Sequence, residues 1–521
     1  MFALACLCAP WVGLAQPTPR DTLAAADEDL DSLRLNEAGA RLASLDPARG
    51  SEPRAAFVRG KLAFFEGRFG EAVAALGQAV AAPGADLSWR GLLVRAKESE
   101  RVLGGMTMVN AANGALVFRY AEGVDELLVK PAAAALATQI EALATEFGDR
   151  PWSPLEVDLV PDVESLAAAS GLTVEQIERT GTVGVTKYGR IMVLTPRALA
   201  TGYPWLDTLA HELVHVVVTR VSRNRAPIWL HEGVAKLLER RWRGERAADL
   251  TPEEAYLLDR AVREGRLIPL RGFHPSIAFL PNQEDAALAY AQVLAFLRYL
   301  DARLPAGWVR SVLEALGRGT TVDDALVVLS KFNVRRHYLW WEQDARGRRQ
   351  TPVPAVALMK KRFLRGKATG ETAGDSLLGV EARRHLRIGD LLRLRGHVPA
   401  AVAEFRKAEL LSDSPSPEVS DRLAGSLLDL GDAQTVVSML PRMAELYPAH
   451  STIFVQLGMA EDALGRSAEA AKALERAMAV NPFHPAVRCA LARVYGKLGR
   501  PDDAASEERA CRTLGARRSP E

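Results

Sequence analysis

In the stretch AHELVHVVVTRVS, residues 210–222, two histidines stand four apart with an acid beside the first: His211, Glu212 and His215. On a helix, residues i and i+4 lie one above the other on the same face, so the two imidazoles can converge on one ion. Glu212 is turned about 100° away from His211 and makes a poor third ligand, but it can reach a water held on that ion. This spacing therefore carries the chemistry of a zinc site that activates water. Taken alone, the pattern describes equally well two surface histidines on an amphipathic helix. A catalytic zinc needs three protein ligands and one open position, so the decision passes to the residues C-terminal to this helix.

After a loop containing Pro227, the string WLHEGVAKLLE, residues 229–239, puts Glu232 near the start of a second helix. The segment resembles the third-ligand helix of the gluzincin metallopeptidases, whose aminopeptidase branch has a similar Trp-Leu-x-Glu-Gly string. The block 114–345 resembles the peptidase MA-like family of gluzincins, often fused to tetratricopeptide repeats in exported bacterial proteins; the specific part of the likeness is 209–239. It implies that Glu232 joins His211 and His215 as a ligand of Zn2+, and that Glu212 is the general base. It also implies that a tyrosine from a later helix donates to the oxyanion. In EDAALAYAQVLAFLRYLDARL, residues 284–304, that tyrosine is Tyr290, with Tyr299 in reserve. His231 is expected to pack or to support a ligand from behind. Asp207, one turn before His211, and Glu239, two turns beyond Glu232, either orient a ligand or lie on helix surfaces.

One departure bears on substrate. Aminopeptidase relatives carry a Gly-x-Met-Glu-Asn motif on the edge strand before the zinc helix, where the glutamate holds the free amine. The corresponding strand here is YGRIMVLTP, with Gly189 and Met192 but no acid, which favours an endopeptidase. The strand is also expected to receive an extended peptide by β-augmentation. Two other readings stay open: a repeat scaffold whose peptidase-like domain only binds, and a zinc amidase acting on cell-wall peptides. That His211, Glu212, His215 and Glu232 are all intact argues against decay to a scaffold.

The elements that must position these residues read as strands succeeded by helices. GALVFRYA (114–121), LEVDLVPD (155–162) and RIMVLTP (190–196) have the β-branched and apolar pattern of strands, and a helix whose first turn suits Pro204 then runs without Gly or Pro to Ser222. Farther on, turn glycines at Gly396, Gly431, Gly465 and Gly499 recur at intervals of about 34 residues, as in the tetratricopeptide repeat. Small residues at Ala401, Ala470 and Ala504 and at Ala408, Ala477 and Cys511 suit close helix approach; Val436, Met443 and Pro441 make the second repeat looser or kinked. A weaker copy, AFVRGKLAFFEGRFGEAVAALGQAV, opens the mature chain after a degenerate hairpin. The expected fold is an α+β gluzincin-like metallopeptidase domain flanked by all-α tetratricopeptide-repeat segments. The chain divides into a signal peptide over 1–16, N-terminal repeat-like helices over 17–110, a peptidase domain over 111–345, a linker over 346–382 and a C-terminal array of four repeats over 383–518. The linker, rich in Gly, Pro and charge, is where few contacts are expected to cross.

Composition adds exclusions. With 48% apolar residues and a formal net charge of +2, the 521-residue chain gives no electrostatic reason to bind nucleic acid. The apolar opening MFALACLCAPWVGLAQ, trailed by Pro, Thr and Arg, has the layout of a signal peptide, though no basic residue precedes its core. This layout implies an exported protein, periplasmic or secreted, and no later stretch reads as a transmembrane segment. After cleavage only Cys489 and Cys511 remain, either as a disulfide or as two buried thiols. The expected partners are a peptide or protein substrate and, through the repeats, a second protein.

Overall fold

A computed structural model describes residues 19–46, 52–148, 154–347, 356, 358–364 and 378–516. The signal-peptide expectation lies outside the described residues. The chain forms two compact units, residues 1–97 and 98–521. In the first, helices Pro19–Asp31 and Leu35–Ala43 make one hairpin, and Pro53–Phe65 and Phe69–Ala81 a second. Gly60 lets the second close: a Cβ there would stand 2.7 Å from Leu76 Cγ, so any side chain would force the helices apart.

The second unit opens with a five-stranded sheet: β1 (Thr107–Ala111), β2 (Leu116–Tyr120), β3 (Leu155–Val160), β4 (Gly184–Lys187) and β5 (Arg190–Leu194), in the order β1-β2-β3-β5-β4. The three central strands run parallel, and β1 and β4 are antiparallel edges. Every residue of β2, β3 and β5 is buried. Two findings correct the sequence reading. β1 starts at Thr107, within the span assigned to the N-terminal helices; its half-exposed TMVNA pattern lacks the apolar run that marks a strand. And β5, which the sequence made the edge, is interior, because the turn at Tyr188–Gly189 folds β4 back beside it, leaving Gly184–Lys187 as the true edge.

Helices cover the sheet and carry the site. They are α1 (Val129–Phe147), α2 (Trp205–Ser222), α3 (Ile228–Leu238), α4 (Pro252–Glu264) and α5 (Gln283–Asp301). α2 is buried on most of its surface and packs on α1, α3, β4 and β5. It stops where Arg223 adopts a left-handed conformation at φ 51°, and Pro227 caps the restart as α3. The helical run Val124–Phe147 is long and apolar enough to cross a membrane by length and composition, contrary to the expectation of none after the first residues. Its alanine-rich sequence passes on mean hydropathy without a run of large apolar residues. Here it packs on α2, and its Gln139 side chain donates to the Leu238 carbonyl at 3.0 Å and accepts from the Trp242 N–H at 2.9 Å, which pins the end of α3.

The C-terminal array consists of four helical hairpins between Val380 and Ala516. In the second, the helix Ala433–Leu446 continues through Pro441, with Val436 and Met443 buried where smaller residues were expected. Cys489 and Cys511 are joined as a disulfide between the helices of the last hairpin. The array is not held off from the peptidase-like region. The Tyr203 N–H donates to the Val480 carbonyl at 3.1 Å, the Ser451 hydroxyl to the Thr201 carbonyl at 3.3 Å, and Gly202 is bare where a Cβ would meet Val480 O at 2.4 Å. Nor is the whole 346–382 segment a free linker, since residues 358–364 lie docked along the same region.

Candidate metal centre

α2 and α3 bring three ligand-type groups together. One ligand atom each from His211, His215 and Glu232 lie within 4.8 Å of one another. Glu232 Oε2 stands 3.4 Å from His211 Nε2 and 3.3 Å from His215 Nε2, and it completes no hydrogen bond although buried. A buried carboxylate oxygen without a partner is costly, and three donors aimed at one point satisfy it best by sharing a cation. The residues therefore fit a divalent metal with nitrogen and oxygen ligands.

What holds each ligand strengthens the fit. His211 keeps Nε2 toward Glu232 because its Nδ1 is 3.1 Å from Glu239 Oε2, so an Nδ1–H donates to that carboxylate. Glu239 is itself fixed by Lys236 Nζ at 2.8 Å. His215 Nδ1 is 2.8 Å from His231 Nδ1, and His231 Nε2 is 3.2 Å from Thr219 Oγ1. Burial and the facing His215 hold His231 down to about 3, so it is neutral. The consistent tautomers give His231 Nε2–H to Thr219 and leave its Nδ1 to accept from His215. Each ligand ring is thus oriented through its rear nitrogen.

The charges match. Burial works against the Glu232 carboxylate, but the imidazoles of His215 and His211 outweigh it and hold the group well below the usual range. Burial opposes a charge on His211 too, yet Glu232 and Glu239 lift it to about 10. A cation shared by the three groups would take the place of that proton.

Glu212, on the adjoining face of α2, points its carboxylate at edge strand β4. Thr186 Oγ1 donates to Glu212 Oε2 at 2.7 Å, and a Cβ at Gly184 would stand 2.7 Å from Glu212 Oε1. Glycine at 184 is what leaves the carboxylate room. Tyr290, on α5, lies edge-on to His211 with ring centroids 5.9 Å apart, and burial with Glu232 and Glu212 nearby pushes its hydroxyl well above its ordinary value, so it stays protonated. Tyr299 is buried beneath Arg303 and does not line the cleft.

His211, Glu212, Glu239 and Tyr290 line one cleft of about 320 Å³. Asp207 does not orient a ligand: it accepts from the Trp242 indole at 3.1 Å and from Arg243 at 3.0 Å, fixing the turn after α3. Neither Asp207 nor Glu239 is a surface carboxylate. Sequence reasoning passed over Thr186, Gly184 and Lys236. Of these only Lys236, one turn beyond Glu232 on the same helix, had a readable spacing. It also passed over Leu358, Met359 and Lys361 and, from the array, Tyr447 and His450, all of which line the cleft. Among the described residues, β4 offers no acid for a substrate amine, nor does β5.

The Peptidase MA superfamily model matches residues 134–344, and the tetratricopeptide repeat model matches residues 451–484. The chain thus fuses a Peptidase MA superfamily domain to tetratricopeptide repeats. No curated protein matches it. Among solved structures it is similar to MamA, at 19% identity over 26% of this chain and 79% of that one with a TM-score of 0.24. MamA 41-end from Desulfovibrio magneticus RS-1 matches at 19% identity over 27% and 78%, TM-score 0.24. YrrB, described as a TPR protein with an unusual peptide-binding site, matches at 18% identity over 26% and 68%, TM-score 0.23.

Proposed function

We propose that this Peptidase MA superfamily domain is a zinc metallopeptidase, that it cleaves within peptides rather than from a free amine, and that it acts outside the cytoplasm. The observation that carries the reading is the convergence of His211, His215 and Glu232 around a buried oxygen with no other partner. His211 Nε2, His215 Nε2 and a Glu232 oxygen would hold the ion, leaving one position open. Zinc bound there supplies Lewis acidity, which lowers the pKa of water toward about 7.

The chain's own groups do the rest. Glu212 Oε2 is held by Thr186, so Oε1 is the oxygen free to take a proton from the attacking water and deliver it to the leaving nitrogen. The protonated Tyr290 hydroxyl donates to the oxyanion that develops on the scissile carbonyl. Glu239 and His231 keep the ligand rings aimed and add no proton transfer of their own. Without an acid on β4 or β5, a free α-amine finds no anchor there, which supports internal cleavage. Export is supported by the Cys489–Cys511 disulfide, a bond that persists in oxidising compartments. The repeats supply surfaces of the kind that recognise proteins.

Incubating the purified chain with an unbiased peptide mixture tests the reading. Mass spectrometry should find new internal termini that disappear with a chelator and return with added zinc. A mixture left intact, or cut equally with chelator present, would sink it.

A further inference from the structure

Residues 358–364, sequence LMKKRFL, have largely the contacts of a bound peptide, with Met359 also packed against the hydrophobic core of the array. The segment is extended and forms no helix or strand of its own; its one bridge pairs Phe363 antiparallel with Leu199. It is held through its backbone. The Ala200 N–H donates to the Arg362 carbonyl at 3.0 Å, and the Leu364 N–H to the Ala198 carbonyl at 2.8 Å. At Lys361 the Gln283 side chain reads both groups, accepting from the N–H at 2.7 Å and donating to the carbonyl at 3.0 Å. The Met359 N–H donates to Glu253 Oε1 at 3.2 Å. Contacts to alternating backbone groups, made partly by side chains of the wall, are the means by which proteins bind extended peptides with little dependence on sequence.

Side chains add a preference. Lys361 Nζ donates to the Gly181 carbonyl at 3.0 Å; burial and Lys236 hold it down to about 8, and Glu253 and Glu254 only partly offset them. The groove thus offers a backbone acceptor to a donor side chain at this one position. Leu358 to Lys361 line the same cleft as His211, Glu212 and Tyr290, and Gly181 to Gly184 continue from the Lys361 contact to the glycine beside Glu212.

We infer that the wall formed by Ala198–Ala200, Gln283 and Glu253 is a binding groove for an extended polypeptide segment, and that residues 358–364 are its resident occupant, displaced when a substrate enters. This deepens the peptidase reading by naming the substrate class, unfolded segments held through their backbone with a lysine at one position, and it rests on that reading only for the cleavage step, not for binding. The sequence reads the occupant as linker because nothing in its side-chain pattern is periodic. Its attachment is in the backbone, where composition leaves no trace.

A reversible lock tests the groove. Leu199 and Phe363 are directly opposed between two flanking hydrogen bonds, a non-hydrogen-bonded antiparallel pair with Cα atoms about 4.5 Å apart, within the range a disulfide spans. The full chain with Leu199→Cys and Phe363→Cys is titrated with fluorescein-labelled LMKKRFL peptide, oxidised and reduced, with wild type in the same reductant as control for Cys489–Cys511. Zinc content is measured in both states. The reduced form should bind the probe at least tenfold more tightly than the oxidised form at equal zinc content. Lys361→Pro offers a second route if the cysteine pair misfolds: it deletes the N–H that Gln283 accepts and leaves the groove intact. This variant should bind the probe several-fold more tightly than wild type. Equal affinity in the locked and released states, or no binding in either, overturns the groove. If the lock controls probe binding and no form cleaves any peptide, the groove stands and the peptidase reading falls. If peptides are cleaved and the lock changes neither cleavage nor binding, the reverse holds.

Discussion

Two clusters of buried charge lie in the same domain and are completed differently. On the sheet, Asp158 accepts from Arg119 at 2.6 Å through one oxygen and from Arg190 at 3.1 Å through the other, while Glu156 stands 3.3 Å from Arg119. Two acids and two guanidinium groups, adjacent in the register of β2, β3 and β5, form a network among themselves. At the cleft, Glu232 faces two imidazoles whose rear nitrogens are already engaged, and the oxygen between them stands 3.3 and 3.4 Å from their front nitrogens without completing a hydrogen bond. Burying charge is repaid only where partners are complete. In the first cluster Glu156 Oε2, 3.3 Å from Arg119, likewise completes no hydrogen bond, but its neighbours are guanidinium cations that ligate no metal, and burial favours a proton on the carboxyl. In the second, two imidazoles and a carboxylate converge on one point, where a cation would replace the proton that His211 otherwise holds, and that donor set is what marks a metal site.

Changing the open cluster should have the largest effect. Glu232→Ala removes a ligand and the only carboxylate of the three, so zinc affinity should fall by more than the roughly 10–100-fold that supporting residues command, with turnover lost alongside. Equilibrium dialysis reads the first and peptide hydrolysis the second; unchanged affinity would mean that the third ligand is another residue. Glu212→Gln separates chemistry from binding. Turnover should drop about 10²–10⁴-fold, the range of a general base, with bound zinc unchanged, and a variant keeping most of its rate would remove Glu212 from that role.

The rear supports come next. His231→Ala and Glu239→Gln should each weaken zinc by roughly 10–100-fold while leaving one zinc per chain at saturation. Loss as large as that of Glu232→Ala would make either of them a ligand.

The closed cluster gives the smallest effect, and it is read in stability. Burial is the largest influence on Glu156 and raises it from 4.5 to about 7 despite Arg119. A value raised on folding means that the native state favours the protonated acid, so stability is lost as pH climbs through about 7. Glu156→Gln should therefore be more stable than wild type by about 1–2 kcal/mol above pH 8 and no different near pH 4. Denaturant unfolding at the two pH values checks this; destabilisation by Glu156→Gln at high pH would show the ion pair to be a net support.

How much the sequence disclosed depends on how local each feature is. His211 and His215 share a helix face, so their convergence needs only the helical repeat, whereas Glu232 is marked by the likeness of its helix to the third-ligand helix of gluzincins. Nine residues separate Tyr290 from Tyr299, a rotation of about 180° on a helix. One therefore meets the cleft while the other is buried away from it. Glu239 reaches His211 only because the turn at Arg223–Pro227 folds α3 back, a geometry that spacing does not encode. Strand β4 has four residues, including a glycine and a lysine, and gains its identity from pairing with β5 rather than from its own pattern. The segment 358–364 and the array's Tyr447 and His450 were hidden for the same reason: they join the cleft through tertiary contacts, not composition.

In the proposed mechanism His211, His215 and Glu232 hold one catalytic zinc. Element analysis of the purified full-length chain, after dialysis against zinc and removal of the excess, tests it most directly. One zinc per chain is expected, stripped by chelator together with all peptide hydrolysis and restored with it on adding zinc back. A chain that retains no zinc under these conditions, or one whose hydrolysis persists after the metal is gone, would contradict it.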